Sequence, residues 1–220
     1  MHNDLGYWIK RWEDGHTAFH QSEASAALVR HGHLFGTGGR VLVPLAGKSR
    51  DMTWLAREKG HAVVGIEIAA PAIRAYFEER SMTAMRSTEG GIHAWHGGGV
   101  TILEADFFAV TSAMVGTITG VYDRAALVAI PPELQAKYVS HLLALTGGAP
   151  ILLIGFEYDT SKMSGPPYSV GEADVARLFG AACAVQKLES REVIDEMPRF
   201  RERGITSLVE AAFLVTRRSV

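Results

Sequence analysis

The sequence predicts a doubly wound, Rossmann-like α/β fold whose central sheet has about seven strands, most of them parallel, and ends in an antiparallel hairpin. Two short apolar runs, residues 41–43 and 62–66, are typical of strands buried on both faces. A helical pattern separates them, and such a crossover makes the two strands parallel. Near the end of the chain, residues 184–188 and 208–216 form the two candidate strands of the hairpin.

The first βαβ unit, residues 40–67, carries the signals that begin and end its elements. Gly47 follows the first strand where the chain must turn, and Ser49 and Asp51 stand where a helix can be N-capped. The residues that continue this helix at helical spacing, and the glycine that stops it, are Met52, Leu55, Ala56 and Gly60.

The two strand ends of this unit suggest a ligand. Ligands of open α/β sheets bind at the carboxyl ends of the strands, where a glycine allows close approach and an acid about 20 residues on can hold a ribose. Gly47 and Glu67 stand in that relation, but neither a G-x-G-x-x-G series nor a P-loop is present. A nucleoside without a pyrophosphate is therefore expected, and S-adenosylmethionine (SAM) fits. The alternative is that Glu67 only ends a strand on the surface.

The remaining elements follow from apolar periodicity and from turn residues. Asp106 and the pair Asp123-Arg124 follow later strands and are expected at the same sheet edge as Glu67. The predicted elements are a helix from Pro71, a loop at 81–99 with at most one short strand at 92–95, strands at 100–103, 121–122 and 151–154, a helix from Pro132 to Gly147, a loop at 160–170 and a helix at 172–180.

Residues 7 to 21 precede every strand and are rich in aromatic side chains. Trp8 and Trp12 are four residues apart, so they share one face of a helix. That face either packs on the core or acts as a lid over a flat ligand. A second helix is expected at residues 22–35. We predict a single domain over residues 1–220, with the N-terminal lid and helix at 1–35 and the sheet core at 40–220.

Composition excludes several classes of function. The net charge of −2 argues against binding to nucleic acid or to a membrane surface, and no apolar run has the roughly 20 residues of a membrane span. The nine histidines are scattered, His31, His33, His93 and His96 in expected loops, so no metal is expected. The single cysteine, Cys183, is predicted to be a buried strand residue rather than a nucleophile. The polar, aromatic start differs from a secretory signal, so a cytoplasmic protein is expected.

Taken together, five stretches resemble the thiopurine S-methyltransferase family. They are Trp8-x3-Trp12-x2-Gly15-x-Thr17-Ala18-Phe19-His20-Gln21, Pro44-Leu45-Ala46-Gly47-Lys48, Val64-Gly65-Ile66-Glu67, Asp123-Arg124-Ala125-Ala126-Leu127-Val128-Ala129 and Gly165-Pro166-Pro167. The resemblance implies a class I SAM-dependent methyltransferase that methylates the sulfur of aromatic and heterocyclic thiols. We expect a monomer that acts on a small-molecule acceptor. Bacterial members are also associated with selenium and tellurium compounds.

The resemblance also implies roles for individual residues. The implied SAM contacts are Trp8, Leu45, Gly47, Glu67, Asp106, Phe107 and Arg124, and the implied substrate contacts are Phe19 and Arg199. Two residues depart from the family pattern: Ala46 replaces a common cysteine, and Gln135 replaces a common arginine.

No catalytic residue is assigned, because an acidic thiol arrives already ionised; Asp123 is the candidate if a base is required. Two of these acids have alternative interpretations: Asp106 also suits a helix N-cap, and Asp123-Arg124 also suits a surface ion pair. Gly165-Pro166-Pro167-Tyr168 differs from the [DN]-P-P-[YF] motif of amine methyltransferases in its first residue and position, which argues against nucleic-acid methylation. A SAM-binding regulator without turnover is the rival function; a nicotinamide oxidoreductase is disfavoured because the glycine fingerprint is missing.

Overall fold

The computed structural model describes residues 5–15, 21, 23–89 and 91–218. The chain divides into two compact units. The first covers the described residues up to Tyr122 together with 144–147, and the second covers residues 123–143 and those from Gly148 onward.

The first unit holds the predicted βαβ segment. Its helices are α1 (Leu5–Glu13), α2 (Ala26–His31), α3 (Arg50–Lys59), α4 (Ala70–Glu78) and α5 (Ser112–Val115). Its strands are β1 (Arg40–Val43), β2 (Ala62–Glu67), β3 (Met85–Glu89), β4 (Ile92–Gly97), β5 (Val100–Glu104) and the start of β6 (Gly120–Arg124). The strand order is β3-β4-β5-β2-β1-β6, parallel from β5 to β6 and antiparallel from β3 to β5.

The local signals of the βαβ segment are confirmed. Val41, Leu42 and Val43 of β1 are at most 3% exposed, as expected of a strand covered on both faces. Ser49 caps α3, since its side chain accepts a hydrogen bond from the Asp51 amide at 3.2 Å. Gly60 ends the helix in the left-handed conformation, with φ of +67°.

Two expectations for the sheet are wrong. Residues 85–97 form a complete hairpin, β3 and β4, so the described strands number nine rather than seven, and the pairing is mixed rather than mostly parallel. Polar cross-strand pairs support this hairpin, including hydrogen bonds between Ser87 Oγ and His96 Nε2 at 2.8 Å and between Thr88 Oγ1 and His93 Nδ1 at 3.1 Å. The two histidines therefore lie on a strand, not in a loop.

The N-terminal helix expected at residues 22–35 is shorter than predicted. α2 ends at His31, and a 3-10 turn, Gly32–Phe35, takes its place up to the turn before β1. Within the described residues no helix is long and apolar enough to cross a membrane, and no group of three potential metal ligands occurs.

The second unit contains the predicted C-terminal hairpin. Its helices are α6 (Pro132–Thr146), whose last three residues belong to the first unit, α7 (Glu172–Phe179) and α8 (Pro198–Arg201). Its strands are β7 (Ile151–Glu157), β8 (Cys183–Glu192) and β9 (Val209–Arg217). The order is β7-β9-β8, and both pairings are antiparallel. Cys183 is 1% exposed, and burial raises the pKa of its thiol, as expected for a structural cysteine.

Candidate active site

The loop after β1, residues 44–49, has an unusual backbone. Leu45 and Gly47 both have positive φ, +46° and +51°. For Leu45 this conformation is unfavourable, because its Cβ crowds the backbone. At Gly47 a side chain is excluded twice: by the positive φ and because a Cβ there would lie 2.9 Å from Cζ2 of Trp12. This loop needs external support to keep its shape.

Glu67 supplies part of that support. Its side chain is only 6% exposed, and its Oε2 accepts a hydrogen bond from the Gly47 amide while Oε1 accepts one from the Ala69 amide, both at 2.8 Å. Burial raises the pKa of this carboxyl, against the opposing effect of these amides. The interpretation of Glu67 as a mere surface strand end is therefore wrong. Each carboxylate oxygen has a second lone pair, which gives it the capacity to accept a ribose hydroxyl as well.

The Trp12 side chain packs beside the loop after β1 and the start of α4. It is 9% exposed and packs on Ala69 and Ala72 at the start of α4, in addition to its contact with Gly47. The indole thus lies against both residues whose amides hold Glu67. The resemblance implied a cofactor contact for Trp8 and no role for Trp12, whose packing on the core is one of the two alternatives kept for their shared face. Trp8 is half-buried and meets the Tyr7 ring edge-on, with centroids 5.2 Å apart. Phe19 lies outside the described residues.

Asp106 stands at the neighbouring strand end. β5 runs parallel to β2 with Glu104 in register with Glu67, and the Ala105 amide donates to the Glu67 carbonyl at 3.0 Å. Asp106 Oδ1 accepts from the Phe108 amide at 3.0 Å and so caps the 3-10 turn Phe107–Ala109. The N-cap interpretation is therefore confirmed. Phe107 is 5% exposed, so its ring is part of the hydrophobic core at this edge of the sheet.

Asp123 is fully buried in the second unit. Its Oδ1 accepts from the Leu127 amide at 3.0 Å, and its Oδ2 accepts from the Tyr138 hydroxyl at 2.7 Å. Burial raises its pKa to about 6, although both hydrogen bonds favour the ionised form. The interpretation of Asp123-Arg124 as a surface ion pair is wrong. Tyr138 lies on the helix predicted from Pro132, but the sequence analysis gave it no role in the site.

Two arginines of the predicted site also lie in the second unit. Arg124 is half-buried. Burial raises the pKa of the Glu210 carboxyl, and the positive charge of Arg124 partly offsets that rise. Arg199 is on α8, with its guanidinium carbon 5.6 Å from the centroid of the Phe200 ring. Phe200 is buried in an apolar cluster with Tyr158 and Ile194, which fixes the helix that carries Arg199.

The fold defines the class of protein. It is the fold of class I SAM-dependent methyltransferases. The chain is similar to a 1,6-didemethyltoxoflavin-N1-methyltransferase from Burkholderia thailandensis, solved with S-adenosylhomocysteine (TM-score 0.62, 21% identity, 96% of this chain and 87% of that one). It is also similar to magnesium protoporphyrin IX methyltransferase from Synechocystis (TM-score 0.56, 18% identity, 86% of this chain and 78% of that one).

The chain belongs to the thiopurine S-methyltransferase family. The family model matches residues 3–218. The chain is 40% identical to the thiopurine S-methyltransferase of Xanthomonas axonopodis, over 98% of this chain and 100% of that one. It is 39% identical to that of Azotobacter vinelandii, over 99% of this chain and 100% of that one. The resemblance inferred from the five motifs is confirmed.

Proposed function

We propose that this single-domain enzyme transfers the methyl group of SAM to the sulfur of an aromatic or heterocyclic thiol. The family membership supports this reaction, and one observation carries the cofactor site: Glu67 is buried beneath the loop after β1 and hydrogen-bonded to the Gly47 and Ala69 amides. A buried carboxylate at the end of the second parallel strand suits a ribose diol. The remaining proposed cofactor contacts are Trp8, Leu45, Asp106, Phe107 and Arg124.

The acceptor side of the site is proposed to include Phe19 and Arg199. The Arg199 charge suits a thiolate or another anionic group on the acceptor. SAM would supply the methyl group on its sulfonium. The acceptor thiolate forms a bond to the methyl carbon as the bond from that carbon to the sulfonium sulfur breaks, and S-adenosylhomocysteine leaves. The residues must hold the two sulfurs in line, with the attacking atom about 3–3.5 Å from the methyl carbon, and must exclude water.

The proposed function is tested by calorimetry with SAM, followed by a methylation assay on a panel of thiols. Binding without methylation of any thiol would support the rival interpretation, a SAM-binding regulator. The panel should include selenolates and inorganic selenium and tellurium species, because the same displacement suits these nucleophiles. We also propose that the protein acts in the cytoplasm as a monomer on small molecules, which the net charge of −2 favours over nucleic acid.

No enzyme base is needed in this proposal, and Asp123 suits that role poorly. Both of its oxygens accept hydrogen bonds from the protein, and the residue is fully buried. We therefore expect the pH dependence of kcat/KM for the acceptor to follow the pKa of the acceptor thiol. The measurement is a pH–rate profile for three thiols of differing acidity. One midpoint shared by all three would show that an enzyme group titrates instead.

The N-terminal segment is proposed to act as a lid that closes on bound ligands. α1 packs on α4 through Trp12, close to Glu67. We expect S-adenosylhomocysteine to slow tryptic cleavage after Lys10 and Arg11 severalfold, because a filled site adds contacts to this helix. Cleavage after the exposed Arg217 serves as the control and should not change. Equal rates with and without ligand at the first two positions would show that α1 is a fixed part of the core.

A further inference from the structure

The loop after β1 has a second support besides Glu67. The Arg80 guanidinium, just beyond the end of α4, donates from Nη2 to the Lys48 carbonyl at 3.0 Å. The Lys48 side chain also forms an ion pair with Glu79. The loop is therefore held from β2 through Glu67 and from the far end of α4 through Arg80.

Arg80 is itself fixed in position. Its Nε donates to Thr53 Oγ1 at 2.8 Å, and its Nη1 donates to the Tyr76 carbonyl at 2.7 Å. Its guanidinium carbon lies 4.1 Å above the centre of the Tyr76 ring. Three donors point to three acceptors, and the ring stacks on one face, so the planar fork has one orientation. A lysine in its place has a single ammonium and cannot reproduce this geometry.

The loop needs such a support because its backbone is strained. Leu45 holds a positive φ that a residue with a Cβ adopts only when its surroundings impose it. Toward β2, the Ala46 amide donates to the Ile66 carbonyl and the Gly47 amide donates to Glu67. The Lys48 carbonyl, one residue further on, accepts the hydrogen bond from Arg80. Without that contact the loop can relax, and the Gly47 amide can leave Glu67.

We propose that Arg80 is a positioning residue of the cofactor site, which keeps the Gly47–Lys48 backbone in its binding conformation. The inference rests on the proposed function, because it takes this loop to be the SAM-binding loop. Arg80 acts through the loop and not by touching the cofactor. Its effect should therefore appear in cofactor affinity, and the methyl-transfer step at saturating SAM should not change.

The first test is Arg80→Gln, assayed by calorimetry with S-adenosylhomocysteine and by steady-state kinetics. We expect about tenfold weaker binding and a similar rise in KM for SAM, with kcat and the KM for the thiol unchanged. The control is Arg86→Gln, since Arg86 lies on β3, stacks on Trp95 at 4.3 Å and lies 3.9 Å from Glu104. That variant should bind like the wild type.

A second pair of variants separates orientation from charge. Thr53→Val removes one acceptor of Arg80 and leaves its charge, whereas Tyr76→Phe removes only the hydroxyl that bonds to Thr53 at 3.0 Å and keeps the ring. We expect weaker binding in the first and near wild-type binding in the second. Arg80→Lys should bind as weakly as Arg80→Gln. Full rescue by lysine would overturn the inference, because charge alone would then be sufficient.

Hydrogen exchange of the Gly47 amide gives a readout that needs no ligand. Its exchange should become at least tenfold faster in Arg80→Gln than in Arg86→Gln. Unchanged exchange together with unchanged affinity would overturn the role of Arg80. If the wild type did not bind S-adenosylhomocysteine at all, the proposed function would fail, and the exchange measurement would still decide whether Arg80 holds the loop.

Discussion

Replacing Glu67 with alanine is expected to weaken SAM binding by tenfold or more. The variant leaves both ribose hydroxyls without a charged acceptor, a loss of roughly 1.5–3 kcal/mol. It also leaves the buried Gly47 and Ala69 amides without their acceptor, so the free energy of unfolding should fall by roughly 1–3 kcal/mol for each. Calorimetry and urea unfolding measure the two effects separately.

Two further variants make this result specific. Glu67→Gln keeps one carbonyl oxygen but turns an NH2 group toward either the Gly47 or the Ala69 amide, so we expect an intermediate loss of affinity. Val63→Ala, in the buried start of the same strand, destabilises the fold by roughly 1–3 kcal/mol without touching the loop and should bind SAM normally. Wild-type affinity in Glu67→Ala would contradict the ribose assignment.

The segment from β1 to β2 could be predicted from the sequence because its signals are local. A strand buried on both faces is an unbroken apolar run, and Ser49 and Gly60 mark the ends of the helix between the strands. The position of Glu67 at a strand end follows from the same pattern. Its burial does not, since it depends on the Gly47 and Ala69 amides and on Trp12, which come from three different elements.

The β3–β4 hairpin could not be predicted in the same way. Ser87, Thr88, His93 and His96 are typical of a solvated loop, and only their pairing across the two strands makes this polar stretch a part of the sheet. The contribution of a residue to such a pair depends on its partner. The residue pattern within a single strand therefore does not predict the cross-strand pairing.

The surroundings of Asp123 show the same limit within the candidate site. An acid followed by an arginine at a strand end suggested a surface pair. The structure instead joins Asp123 to Tyr138, a residue of α6. A buried tyrosine usually finds a partner for its hydroxyl, and this rule is the signal that could have indicated a buried acceptor.

Replacing Asp123 with alanine is expected to cost roughly 2–5 kcal/mol of stability at neutral pH. The variant leaves the Leu127 amide and the Tyr138 hydroxyl, both buried, without an acceptor. Asp123→Asn is the matched control. Its carbonyl oxygen can accept from Leu127, and its NH2 group can donate to the Tyr138 oxygen, so both bonds have a replacement and the buried charge is gone. We expect this variant to be as stable as the wild type or more stable at pH 8.

The pH dependence of stability tests whether the Asp123 carboxyl binds a proton in the folded state. The folded-state pKa of Asp123 is raised to about 6, above the value of about 3.9 for an aspartate in an unfolded chain. Between these values the folded state binds more protons, so this group adds stability as pH falls through 6, by roughly 1–3 kcal/mol in total. Urea unfolding of the wild type and of Asp123→Asn from pH 8 to pH 5 measures it. Because other titrating groups are common to both proteins, the difference between the two curves isolates Asp123. As the pH falls, the wild type should gain stability relative to Asp123→Asn. Parallel curves for the two proteins would contradict a buried carboxyl that binds a proton in the folded state.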